Sequence, residues 1–414
     1  MGGYLKKIII FTWSVFFLML LSVGHSATFT VTKTADTNDG TCDADCSLRE
    51  AIIAANAASG ADVITLPAGT YTLSIAGTGE DAAATGDLDI RDDLTINGAG
   101  TPNTVIDGGA IDRVFDINRS TTNVNILAAT ITNGLVTDDP GGGLQNKGVL
   151  VLDHVTVTGN VVDGTESDAI GGGFLNGGET TVTNSTISNN QADRGGGIFN
   201  AGSAILDLRD TIINGNTARV GGGLQLYGTA VLTNATVSDN NSSGAGGGLA
   251  LYDAAVTLIN CTVASNSSGG NNALTVWGDG TNFTLKHTIL ANSVGNCYAN
   301  YGGTIKSDGH NLDSDGSCGL AAPGDLSNVD PLLGPLQDNG GPTHTHALLT
   351  GSPAIDAGDS VGCPSTDQRG IARPKDGDGD CNAVCDIGAY EFVLPVGEGC
   401  LKAMPAIPLL LLED

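Results

Sequence analysis

Tyr227, Tyr252 and Trp277 stand 25 residues apart, in "GGGLQLY", "GGGLALY" and "NNALTVW". The apolar pairs before them, Leu224/Leu226, Leu249/Leu251 and Leu274/Val276, share one strand parity, which leaves the aromatics on the other, outward one. Aromatics make up only 4% of the chain, so three at one interval stand out as an exposed ladder on which sugar rings could lie. A ladder that only covers a sheet, or docks another part of the chain, has the same signature. A second group is acidic: Asp163, Glu166 and Asp168 in "VVDGTESDAI", with Arg194 and Arg219 in the equivalent loops that follow. Acidic cation ligands beside a basic proton acceptor are what a polysaccharide lyase needs, and paired carboxylates are what a glycoside hydrolase needs. Exposed turns carry such charges without any chemistry. In "KDGDGDCNAVCD", Asp376, Asp378 and Asp380 alternate as at the start of a calcium loop, although the bidentate glutamate is missing. Calcium is the one cofactor this pattern suggests. His344 and His346 in "THTH" share a strand face but lack a third ligand.

The elements that must carry these residues repeat. Triple glycines start at Gly141, Gly171, Gly195, Gly221 and Gly246. A threonine followed by Ile or Val recurs at Thr130, Thr156, Thr186, Thr211, Thr236, Thr262 and Thr288, in steps of 25 to 30 residues. Four residues after the threonine stands Asn160, Asn190, Asn240, Asn266 or Asn292, while Asn133 and Asn216 sit one place off. Between these marks the pattern alternates with period two, as in "AVLTNATVS", and helical spacing is absent. Three short strands per turn of about 25 residues predict a parallel β-helix, each turn burying its Val, Ile and Leu against its neighbours. Stacked asparagines can then bond along the axis as an amide ladder, and glycine meets the sharp corners. One corner position reads as His154, Asn184, Arg209, Asn234, Asn260 and Lys286 in successive turns.

The ends differ. "CSLREAIIAANA" predicts a capping helix, with Ser47 and Glu50 as a capping box and Leu48, Ala51, Ile52 and Ala55 inward. "DVITLPAGTYTL", Asp62 to Leu73, reads as the first strand and turn. Residues 1–26 read as a signal peptide, with Lys6 and Lys7 ahead of an apolar stretch from Ile8 to Val23. Its removal takes the net charge from −28 to about −30. So acidic a surface repels phosphate backbones, which excludes nucleic acid as a partner. Nine cysteines fit an oxidising compartment. Cys42 and Cys46 are close enough to pair, Cys297 suits Cys318, and Cys363, Cys381 and Cys385 hold one more pair, taken as Cys363 with Cys385. Cys261 falls inside the repeats as a small buried residue.

"CSLREA", Cys46 to Ala51, is identical to the signature of the bacterial CSLREA N-terminal domain. The coils, with "GGGIFN" and "STISNN", resemble the right-handed parallel β-helix of the pectin-lyase-like superfamily and of polymorphic outer-membrane proteins. "DPLLGPLQDNGGPTHTHALLTGSPAIDAGD" and "DQRGIARP…CDIGAYE" look like the choice-of-anchor module of secreted bacterial surface proteins. The resemblance implies an all-β solenoid, export and display at the cell surface or outer membrane, and no particular reaction. The expected organisation is a signal peptide (1–26), a cap (27–86), coils (87–312), a C-terminal module (313–395) and a tail (396–414). The tail's apolar run is too short to span a bilayer, so no stable transmembrane span is expected after signal cleavage. The function expected is a non-catalytic adhesion or carbohydrate-binding scaffold, with a polysaccharide or cell-surface glycan as partner. A lyase or hydrolase on the β-helix face is the alternative.

Overall fold

A computed structural model describes residues 26–164, 167–270, 272–293 and 295–395. Residues 1–25 of the stretch expected to be a signal peptide, Glu166 and the tail 396–414 lie outside the described residues. The chain is a right-handed parallel β-helix of about nine turns. Two eleven-stranded sheets and one nine-stranded sheet, all parallel, form its walls among the described residues. One full turn shows the order. Leu144–Asn146 lies in the nine-stranded sheet, Val149–Asp153 in one eleven-stranded sheet and Thr156–Thr158 in the other. No described helix is long and apolar enough to cross a membrane.

The interior follows from alternation. On the nine-stranded sheet Leu88, Phe115, Leu144, Phe174, Ile198, Leu224, Leu249 and Leu274 occupy one register row, and all are fully buried. Each such side chain contributes roughly 1.5–3 kcal/mol, so the column of turns is stabilised by repetition. The amide ladder forms too: Asn160, Asn190, Asn216, Asn240 and Asn266 are buried, and the Nδ2 of each of the first four donates to the next Oδ1 at 2.9 to 3.0 Å. The triple glycines lie against it. The first of each has φ of +62 to +78°, while a Cβ on the third would meet the ladder amides at about 3 Å. Positive φ and close approach are thus separate demands within one triplet.

The register corrects two sequence alignments by one residue. Ile212 pairs with Thr186 and Thr236, and Ile289 with Thr262, so Thr211 and Thr288 sit one place before the threonine row. Their hydroxyls donate to the carbonyls of Arg209 and Lys286, at the position that Ser185 and Cys261 fill elsewhere. The same slip moves Asn216 into the ladder and Asn292 out of it. Asn292 takes a left-handed turn (φ +54°), and Ser293 accepts from the Asn266 N–H instead. It also gives the left-handed corner to Asp210 and His287 rather than Arg209 and Lys286, beside His154, Asn184, Asn234 and Asn260. These short polar residues tolerate the αL conformation better than long ones do.

Helix α1, Leu48–Ala57, covers the N-terminal end with the complete Ser47/Glu50 capping box. Leu48, Ala51, Ile52 and Ala55 are buried as expected, and so is Arg49. Arg49 pairs with Asp36 at 2.7 Å and donates to the carbonyls of Ala83, Gly86 and Asp87, which fixes the loop ahead of the coils. Strand Asp62–Thr65 is not the first: Thr28–Thr30 pairs outside it. Disulfides join Cys42 to Cys46, Cys297 to Cys318 and Cys363 to Cys385, and Cys261 is a buried thiol whose burial pushes it up to about 12.

The C-terminal residues fold back along the sheet that carries Thr156–Thr158. Asn234 Nδ2 donates to the Thr366 carbonyl, Thr236 Oγ1 to Gln368 Oε1 at 2.6 Å, and the Ala389 N–H to Thr262 Oγ1. His346 bonds Ser238 Oγ and the Gly334 carbonyl, while His344, which precedes the strand Thr345–Leu348, is exposed.

Candidate functional site

Tyr227, Tyr252 and Trp277 are positioned by the nine-stranded sheet. Leu226 pairs with Leu251, and Leu251 with Val276; all three are buried and point inward, so the next residue in each coil points out. The Tyr227 and Tyr252 rings stack at 5.2 Å and 15°, and Tyr252 meets Trp277 at 4.5 Å and 39°. Near-parallel rings this close overlap rather than lie side by side, so they stand on edge and spend their faces on one another. Phe199 extends the stack at 5.5 Å from Tyr227, and the Arg194 guanidinium lies 5.9 Å from the Phe199 ring. That end of the stack is closed.

The other end is open. Asn300 stands in register beyond Trp277, too small to cover the indole. A groove of about 590 Å³ forms there, lined by Tyr252, Asp253, Trp277, Gly278, Tyr298, Asn300 and Tyr301. Tyr298 is 41% and Tyr301 75% exposed, against half-buried Tyr252 and Trp277. Asn300 Nδ2 donates to Tyr298 Oη at 2.6 Å, and its Oδ1 accepts the Tyr301 N–H at 2.8 Å. Gly278 takes φ +94°, and a Cβ there would collide with Asp253 Oδ1 at 2.3 Å. Burial pushes the Tyr252 phenol well above its usual range, Tyr227 adds to this, and Arg219 opposes it. The groove combines ring faces with a carboxylate, an amide and phenols, and among the described residues no cation lines it. Tyr298 and Tyr301 escaped the sequence pattern because Asn300, not an aromatic, continues the ladder position. The "CYANY" cluster in a chain with seven tyrosines was the available signal.

The acidic insertion is less organised. Asp163 ends strand Val161–Asp163 and lines a cleft of about 290 Å³ with Asp193 and Arg219. Arg219 is bound to Asp193 at 2.8 Å, and Arg194 donates to the Ser167 carbonyl. Asp168 is exposed. The alternating aspartates are split. Asp376 and Asp378 join Asp356, with one oxygen of each within 4.8 Å, whereas Asp380 Oδ1 accepts the Asn382 N–H in its own turn. Asp356 Oδ2 takes the N–H groups of Gly377 and Asp378, and Asp376 those of Gly379 and Cys381, so this loop is held by its own backbone. Burial raises the Asp356 carboxyl, with Asp378 adding to it.

Residues 114–290 match the family described as right handed beta helix region. Among solved structures, the chain is similar to pectate lyase Pel9A, at 13% identity and a TM-score of 0.41, over 90% of this chain and 98% of that one. No curated protein matches the chain in sequence.

Proposed function

We propose that this protein is a secreted or cell-surface, non-catalytic scaffold that binds a glycan in the groove at the open end of the Tyr227–Tyr252–Trp277 stack. The observation that carries the reading is the uncovered Trp277 face opening on the 590 Å³ groove with Tyr298 and Tyr301. A sugar ring offers an apolar face to the indole and hydroxyls to Asp253, Asn300 and the phenols. Exposed aromatic surface of this kind is what binding sites use. Asp253 and the net charge of −28 favour neutral glycans over polyuronates. The CSLREA and choice-of-anchor resemblances and the signal peptide reading support export and surface display. On this reading 27–86 cap the coils of 87–312, and 313–395 form a module laid along them.

The test is retention of the purified protein on neutral glycan matrices by affinity electrophoresis. Trp277→Ala and Tyr301→Ala should each cut retention tenfold or more. Undiminished retention in both would remove the site. Reducing-end release that vanishes with Asp163→Asn or Asp168→Asn would replace this reading with the lyase or hydrolase.

A further inference from the structure

A second site lies at the N-terminal end of the nine-stranded sheet, far along the coils from the aromatic groove. Asp89 ends strand Leu88–Asp89 and pairs in register with Asp116 of Phe115–Ile117, one coil on. Asp81, from the loop that Arg49 fixes, joins them, and one carboxylate oxygen from each lies within 4.8 Å of the others. Like charges directly opposite on neighbouring strands repel, so the arrangement needs something between them.

Asp89 is fully buried. Its Oδ2 accepts the Ala83 N–H at 2.8 Å, but Oδ1 accepts no hydrogen bond from the protein, and neither does the buried Asp116 Oδ1. A buried carboxylate oxygen without a donor is strongly disfavoured unless a proton or a cation meets it. Arg91, Arg119 and Lys147 line the adjoining cleft of about 360 Å³. Among the described residues, none of them comes within 4.0 Å of these carboxylates.

We propose that Asp81, Asp89 and Asp116 bind a hard divalent cation, calcium foremost, that clamps the loop around Asp81 to the first two coils. Calcium takes oxygen ligands at about 2.3–2.6 Å, so ligand oxygens on opposite sides of the ion stand up to about 5 Å apart, the span of this cluster. No nitrogen or sulfur ligand is in the set, which disfavours zinc and copper. The cleft admits water to complete the coordination. The loop is organised in advance: Glu80 accepts the Ala82 and Thr85 N–H groups at 2.8 Å, and Asn118 Nδ2 holds Asp81 Oδ1 at 3.2 Å.

The experiment is thermal unfolding of the full chain, freed of metal by a chelator and titrated with calcium chloride or magnesium chloride. The wild type should gain roughly 3 °C in Tm at a hundredfold excess of calcium over Kd, saturably, and less with magnesium. Asp89→Asn should abolish the gain while keeping the fold, because the amide relieves the repulsion. Asp81→Asn, at an exposed position, should weaken calcium binding about tenfold. Asp376→Asn should leave the gain intact. Absence of a saturable response in the wild type, or one that survives both Asp81→Asn and Asp89→Asn, overturns the site.

Discussion

The same coils present two outer faces that meet water differently. Between Asp210 and His310, the sheet of Thr236–Ser238 and Thr262–Ala264 is roofed by the C-terminal module, through Asn234, Thr236, Ser238, Asn260 and Thr262. Around the corner, the sheet of Leu249–Tyr252 and Leu274–Trp277 carries stacked rings, and the module's hydrogen bonds to the coils go to the other face. The roofed face is made of short polar side chains that match backbone groups of the module. The open face is made of rings that shield one another and leave only the last one unshielded. A polar row needs its partner for order, whereas a ring stack orders itself and keeps one contact surface in reserve. That difference marks the second face, not the first, as the place for a ligand.

The largest effect should come from breaking what both faces share. Asn240 is buried, donates to the Ile213 and Ser238 carbonyls and to Asn266, and accepts from Asn216. Asn240→Ala strands several buried groups at once and should cost about 3 kcal/mol or more. Thermal unfolding should register that loss, with hydrogen exchange rising at both faces. A loss confined to one face would mean that the coils are not one cooperative column.

A smaller change should separate the faces. Gln368 accepts from Thr236 Oγ1 and donates to Thr343 Oγ1 and the His344 carbonyl, all in the roof contact. Gln368→Ala should cost about 2 kcal/mol, lower the protection of Thr345–Leu348 in hydrogen exchange, and leave glycan retention unchanged. Retention that falls with it would join the two faces into one site.

Much of this division was visible in the residues and some was not. The glycine triplets and the asparagines carried the coil period, because positive φ and an amide ladder admit few substitutes. The threonine row misled by one residue at Thr211 and Thr288, because a hydroxyl suits both the strand and the corner just before it. The roof was not legible: Asn234 and Asn260 look like any turn asparagine, and their partners lie more than 120 residues away. Arg49 lies outside the apolar inward set of the capping helix, yet it is buried among carbonyls contributed from the coil side of the loop. The groove was half legible, since the stack has a sequence period but its open end is marked only by the missing ring at Asn300.

That missing ring gives the finest test of the comparison. Asn300 pairs in register with Trp277 on an exposed strand, so Asn300→Tyr would lengthen the stack by one member. Cross-strand aromatic pairs contribute about 0.5–1 kcal/mol, and the loss of the bond to Tyr298 offsets part of it, so Tm should hardly move. Binding should move instead. If the ligand lies on the free Trp277 face, the new ring takes that face and retention on neutral glycan should drop about tenfold. If the ligand lies along the edges of the stack, a longer stack should hold it more tightly. A folded variant with stronger retention would therefore shift the site from the groove to the ladder's edge, with the roofed face as the unchanged control.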